Sequence, residues 1–222
     1  MTPRWHAPSV AVFEAVFSPF TAFCLRIRLR ADDSIDPGRG VVFVANHHSW
    51  WDGFLLRALQ RRLMPNTPLW SVMLERELAP RGWFRRMGCL GVAPGEPGSI
   101  RSLVRNLGAI ARSPGGWAVS YFPQGRIRPA DARPLGFRPG LERILSVMGN
   151  VQVVPVALRI EPLNTRRPHA FVWAGAPLEK TAGERFDLSS LERAVERQLD
   201  SLEAELARLG EDASREWPGE LA

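Results

Sequence analysis

Two histidines and an aspartate fall within Asn46-His47-His48-Ser49-Trp50-Trp51-Asp52, and His47 with Asp52 has what proton removal from a hydroxyl requires. A carboxylate that accepts the N–H of one imidazole nitrogen fixes the tautomer and leaves the other nitrogen free to take a proton. On one continuous helix a five-residue separation sets two side chains roughly 140° apart around the axis, so they would not meet. Ser49 followed three residues later by Asp52 has the spacing of an N-cap and its acidic partner. That places the helix start at Ser49 and leaves His47 in the loop before it, where the imidazole can fold back onto Asp52. The helix N-terminus helps keep the ring neutral. The outcome is a general base for a hydroxyl nucleophile. Two other readings stay open: a capping aspartate beside hydrogen-bonded loop histidines, and a metal site, against which the adjacent His47 and His48 side chains would usually diverge.

The elements that must hold this stretch are legible on both sides of it. Val41-Val42-Phe43-Val44-Ala45 is a short apolar, β-branched run, as in a strand buried on both faces. After Asp52, apolar Phe54, Leu55, Leu56, Ala58 and Leu59 cluster as on a helix. Further strands are expected at 69–73, 89–93, 117–122, 151–160 and 170–174, with helices at 75–87, 99–111 and 141–148 between them. From Asp187 onward, Leu188, Leu191, Val195, Leu199, Leu202 and Leu206 form an apolar stripe, and the Glu/Arg alternation around it reads as a solvated face. Alternating strands and helices argue for one α/β domain, with a mixed, mainly parallel sheet flanked by helices. The site then belongs at the carboxyl ends of the strands, where the His47 loop and the Pro123-Gln124-Gly125 loop both lie. Arg126 to Gly140 is a long polar loop, functional or mobile.

The 222 residues suit a single large domain, divided here into an N-terminal segment, 1–30, and an α/β domain, 31–222. Ser9 to Leu29 is dominated by apolar side chains but carries Glu14 and Pro19, which suits two short helical pieces lying in a membrane interface, or a cap on the domain. Trp83-Phe84-Arg85-Arg86 admits the same two readings. The formal charge is +6 and Lys180 is the only lysine, so the positive charge is almost all arginine, suited to phosphates and carboxylates. Cys24 and Cys89 show no paired spacing, which favours a reducing compartment, and no cleavable signal is expected.

Taken together, NHHSWWD at 46–52, YFPQG at 121–125, GFRPG at 136–140 and VVPVAL at 153–158 resemble blocks of the PlsC-type glycerolipid acyltransferase family, whose members include lysophosphatidate acyltransferases. The resemblance implies that His47 deprotonates an acceptor hydroxyl, that Asp52 orients His47, and that the hydroxyl attacks the thioester of acyl-CoA or acyl-carrier protein. It also implies substrate contacts at Asn46, Ser49, Phe122, Pro123, Gln124, Arg126, Arg128 and Arg138. The chain departs from the family's F-P-E-G-T-R block, with Gln124 for the glutamate, Arg126 for the threonine and Ile127 for the arginine. Pro94 stands where a further arginine is usual. Gly125, in a tight turn, is a candidate oxyanion donor through its backbone, or is there for a positive φ. No G-x-S-x-G elbow is present, so an acyl-enzyme is not required.

The expected protein is an O-acyltransferase of phospholipid biosynthesis, acting on 1-acyl-glycerol-3-phosphate at the cytoplasmic face of the membrane as a peripheral or monotopic protein. Its partners are the membrane surface, a lysolipid and the acyl donor, with no cofactor, metal or nucleic acid. The alternatives are a neutral lipid or glycolipid acceptor, or a non-catalytic membrane- or nucleic-acid-binding domain.

Overall fold

The computed structural model describes residues 6–218 together with 220 and 221, so the first five residues of the segment expected at 1–30 lie outside it. Among the described residues nine strands form one sheet. In chain order they are β1 (Arg26–Ala31), β2 (Gly40–Ala45), β3 (Leu69–Leu74), β4 (Cys89–Val92), β5 (Trp117–Tyr121), β6 (Val151–Glu161), β7 (His169–Ala174), β8 (Leu178–Lys180) and β9 (Glu220–Leu221). Their spatial order is β4-β3-β5-β2-β6-β7-β1-β9, with β8 pairing β6. β4, β3, β5, β2 and β6 run parallel, whereas β7 returns antiparallel to β6 and carries β1 parallel to itself. The fold is thus the expected single α/β domain with a mixed, mainly parallel sheet flanked by helices.

β2 sits inside the parallel block, and Val41 to Ala45 are fully buried because each sheet face has its own core. Val42 and Val44 face a cluster built with α4 (Pro97–Ala111), α5 (Gly140–Leu145) and α6 (Leu188–Leu209). Val41, Phe43 and Ala45 face the other, built with α2 (Asp52–Leu63). This accounts for an apolar run without alternation. The stripe of α6 is buried as its period requires, and the Asp187 side chain caps it by accepting from Ser189 N–H and Ser190 N–H.

The N-terminal expectation needs two corrections. α1 (Ala7–Cys24) is one helix that continues through Pro19, not two pieces. Phe13 and Phe17 on the preceding turns stack at 4.4 Å and pack on Phe54 and Trp83, and Thr21 Oγ1 donates to the Phe17 carbonyl, so packing carries the helix past the missing N–H. The helical part then ends at Cys24, and Arg26–Ala31 belongs to the sheet, so a boundary after residue 30 would cut β1 from its partner β7. Arg26, Arg28 and Arg30 alternate with buried Ile27 and Leu29, a period of two that marks a strand. The Arg30 guanidinium lies over Trp173 and pairs with Glu205.

The long loop after β5 is anchored, and the charged face of α6 is what anchors it. Leu135 N–H donates to Glu196, Gly136 N–H to Glu192, and Arg133 pairs with Asp200 and Glu203. Leu135 and Phe137 enter the core beneath. The acidic residues therefore form a binding stripe for the loop, a correction to their reading as a solvated face.

His169 on β7 is buried, and neither ring nitrogen has a partner among the described residues. Burial, with help from Arg26, Arg28 and Arg167, holds its pKa below the ordinary histidine value. The unfolded chain therefore binds this proton more readily, so stability is complete above about pH 6.5 and is lost as the pH falls below it. Thermal denaturation between pH 7.5 and 5 should show a falling midpoint, and His169→Phe should flatten the slope.

Candidate active site

The end of β2 is shaped by Asn46. β2 pairs with β6 up to Ala45 opposite Val156, and the Asn46 side chain then imitates one more rung: Nδ2 donates to Leu158 O at 3.0 Å and Oδ1 accepts Leu158 N–H at 2.8 Å. Its amide is buried and committed at both ends, so the expected substrate contact at Asn46 is corrected to a strut that turns the main chain out of the sheet.

The turn that follows is built around Asp52, whose carboxylate is fully buried. Oδ2 accepts His47 Nδ1–H at 2.8 Å, His48 N–H at 2.7 Å and Ser49 N–H at 2.9 Å. α2 begins at Asp52, not at Ser49. Ser49 Oγ accepts Trp51 N–H at 3.2 Å, inside a turn that precedes the helix, so Asp52 itself closes the entry. Ser49 is therefore corrected from helix cap to a turn residue. A carboxylate in the first helical turn is favoured by the backbone dipoles, and its buried charge is compensated by three donors.

His47 presents the remaining functional atom. Its ring stacks on Phe122 at 4.4 Å and 22°, its side chain is 24% exposed, and Nε2 has no bond among the described residues. With Nδ1 donating to Asp52, Nε2 carries the lone pair, as a general base requires. His48 lies on the other side of Asp52, with Nδ1 3.3 Å from Oδ1, and its ring is nearly buried. Burial pushes its pKa down despite the attraction of Asp52, so His48 is a neutral packing group beside the pair.

The register of β2 with β5 brings the second loop alongside. Val44 pairs with Tyr121, so the chain continues on both strands into Asn46-His47 and Phe122-Pro123-Gln124 as neighbours. Gln124 is buried, and its Oε1 accepts His47 N–H at 2.6 Å, while Arg128 N–H donates to the His47 carbonyl at 2.9 Å. Pro123 is buried, and its carbonyl accepts Arg138 N–H at 3.1 Å.

Gly125 has φ +65°, the left-handed region that glycine tolerates. Its N–H donates to Phe122 O at 3.0 Å, closing a β-turn, so Gly125 is corrected from oxyanion donor to turn residue. The next two N–H groups, of Arg126 and Ile127, have no partner among the described residues and follow the turn directly. Which main-chain N–H of the turn stays open is set by its hydrogen bonding and leaves no trace in residue type.

The three candidate arginines separate. The Arg128 guanidinium donates to the carbonyls of Pro134 and Leu135, bracing its own loop. Arg126 is exposed, and Arg138 lays its guanidinium over Gly125, where a Cβ would meet Nη1 at 3.2 Å. Arg138 also counteracts the burial that raises the pKa of Tyr121, which places its charge next to the end of β5.

A sequence profile described as Acyltransferase matches residues 26–159, more than half of the chain. The chain belongs to this family. The protein is an acyltransferase. Among solved structures it resembles the 1-acyl-sn-glycerophosphate (LPA) acyltransferase PlsC from Thermotoga maritima, with a TM-score of 0.62 and 18% identity over 87% of this chain and 79% of that one. No curated protein sequence matches it significantly.

The pair geometry predicts how the acyltransferase fails. His47→Ala removes the open Nε2 and should lower kcat by roughly 10²–10⁴-fold with folding retained. Asp52→Asn should fall in the same range, because the amide no longer compensates a protonated ring. Thiol release from an acyl thioester, with circular dichroism as the folding control, checks both.

Proposed function

We propose that this protein is an interfacial O-acyltransferase that moves a fatty acyl group from acyl-CoA or acyl-carrier protein to the free hydroxyl of a 1-acyl-glycerol-3-phosphate, in phospholipid biosynthesis. The observation that carries the reading is the Asp52–His47 pair with Nε2 left open. The hydroxyl gives its proton to Nε2 as its oxygen attacks the thioester carbonyl. The tetrahedral oxyanion is received by N–H groups after the Gly125 turn, those of Arg126 and Ile127. Collapse breaks the C–S bond, and the His47 imidazolium returns the proton to the leaving thiolate. The thioester is already activated, so no covalent enzyme intermediate is needed.

Attachment to the membrane is proposed through α1. Val12, Val16, Phe20 and Phe23 recur at helical spacing and are between 46% and 76% exposed, an apolar face largely open among the described residues, with Phe20 touching Trp51 at its edge. By length and composition this helix could cross a membrane, but two features favour its lying along the surface. Its 18 residues reach about 27 Å, short of the roughly 30 Å hydrocarbon core. Glu14, on its inner side, is paired with Arg57 and Arg61 of α2. Burial alone would raise the pKa of Glu14, and the Ser18 hydroxyl with the two guanidinium groups brings it below the usual value, keeping the tie charged. The site would then open towards the cytoplasmic leaflet.

Phosphate recognition is assigned to Arg126 and Arg138, whose guanidinium groups make no hydrogen bond or ion pair with any described residue. A neutral lipid alcohol is the second reading. It is favoured because Arg128 is spent on its own loop, and because Ile127 and Pro94 stand where the family places arginine.

Two experiments test this. With lysophosphatidate and a neutral glycolipid as acceptors, Arg138→Ala should raise KM for the phosphate acceptor about tenfold, the equivalent of one charge-assisted bond, and leave the neutral acceptor unchanged. No turnover of lysophosphatidate by the wild type would transfer the proposal to the neutral acceptor. On anionic liposomes, Val16→Glu with Phe23→Glu should abolish co-sedimentation while a soluble short-chain acceptor is still acylated. Retained binding would move the anchor to the region of Trp83.

A further inference from the structure

Gln124 touches the catalytic histidine through the main chain, and its side chain is uncharged where a carboxylate could make the same bond. It is 4% exposed. Oε1 accepts His47 N–H at 2.6 Å, and Nε2 makes no hydrogen bond to any described residue. The His47 carbonyl is held in turn by Arg128 N–H at 2.9 Å, so the peptide units on both sides of His47 are tied to the loop after β5. With Phe122 stacked on the ring and Asp52 on Nδ1, the histidine is fixed at four points, three of which come from that loop.

We infer that Gln124 is a positioning residue for the acyl-transfer reaction: an electrically neutral clamp that fixes His47 without adding a second negative charge beside it. The inference rests on the reading of His47 as the general base. The groups facing this turn are Asp52 and His48 on the same loop and helix, Arg128 and Arg138 on the clamping loop, and Arg159 and Glu161 of β6, which act on His48. Asp52 is the one carboxylate bonded to the ring among the described residues. A base must be unprotonated when the hydroxyl arrives, and each anion close to an imidazole favours its protonated form. A carboxylate at position 124, bonded to His47 N–H, would lie within about 6 Å of the ring, close enough to raise its pKa by roughly one unit. The amide holds the same N–H without that effect.

The test uses the full-length protein and Gln124→Glu, which keeps the accepting oxygen and breaks no bond, because Nε2 has none among the described residues. Gln124→Met is the second variant, filling the same space without an acceptor. The sequence has four histidines, so the His47 ring can be followed by NMR titration of histidine-labelled protein and assigned with His47→Ala. In parallel, kcat/KM is measured against pH with lysophosphatidate and an acyl thioester. Gln124→Glu should raise the His47 midpoint by roughly one pH unit and shift the acid limb of kcat/KM upward by the same amount, with the high-pH plateau within a few-fold of wild type. Gln124→Met should leave the midpoint in place and lower kcat about tenfold or more at little-changed KM. An unmoved midpoint in Gln124→Glu, or an undiminished kcat in Gln124→Met, overturns the clamp. A wild-type protein that titrates as described but acylates no acceptor overturns the acyl-transfer reading and leaves the clamp standing, because the NMR midpoint does not depend on turnover.

Discussion

One carboxylate oxygen, Asp52 Oδ2, carries the geometry of the site. A fully buried ionised group must be compensated by nearby donors, and here the donors are the His47 ring and the main-chain N–H groups of His48 and Ser49. Satisfying one atom thus winds residues 47–49 around the first turn of α2. It also delays the helix until Asp52 and selects the tautomer of His47. The bond that orients the His47 ring and the bonds that shape its loop end on the same oxygen, so neither can be changed alone.

That turn is in place because of how the strands are ordered. β5 lies beside β2 although two strands and the helices α2, α3 (Glu75–Leu78) and α4, with a 3-10 segment at Ala79–Met87, separate them in sequence, and the pairing of Val44 with Tyr121 brings Gln124 to the His47 main chain. On the opposite side β6 supplies Leu158, which takes up the Asn46 amide. The parallel block has its carboxyl ends in line here, the usual position for a site in such sheets. The loop beyond Gly125 would be a liability at its length. It is held by Glu192, Glu196, Asp200 and Glu203 along α6, so an acidic helix face on one side of the sheet stiffens the loop beside His47.

The apolar helix α1 reaches the same place from outside. Phe20 packs on Trp51 at 5.9 Å, and Phe13 and Phe17 pack on Phe54 at 6.1 and 6.0 Å, so α1 rests on the turn of α2 that begins with Asp52. Trp50 is exposed beside that cluster and contacts Phe54 at 4.8 Å. The apolar surface of α1 is thus continuous with the histidine loop.

Local chemistry was enough to read the elements flanking the site. The unbroken Val41–Ala45 run requires a doubly covered strand, the stripe from Leu188 to Leu206 requires a buried helix face, and a histidine in the loop five residues before an aspartate at a helix start requires only a turn to become a pair. Those features depend on neighbours in the chain, and residue type records them. What depended on the tertiary structure was the use of each polar group. Asn46, Gly125 and Arg128 had the types expected of substrate contacts or oxyanion donors, and Ser49 that of a helix cap. Asn46, Gly125 and Arg128 spend their hydrogen bonds on Leu158, Phe122 and the carbonyls of Pro134 and Leu135, and Ser49 accepts Trp51 N–H in a turn before the helix. The acidic face of α6 was taken for a solvated surface because its partners lie more than fifty residues away, and β1 was absorbed into the N-terminal segment because its partner β7 follows it by well over a hundred residues. A hydrogen bond can be assigned only when both ends are in place: the pairing of β2 with β6 brings Leu158 to Asn46, the turns after β2 and β5 close Ser49 on Trp51 and Gly125 on Phe122, and the fold of the following loop against α6 supplies the rest.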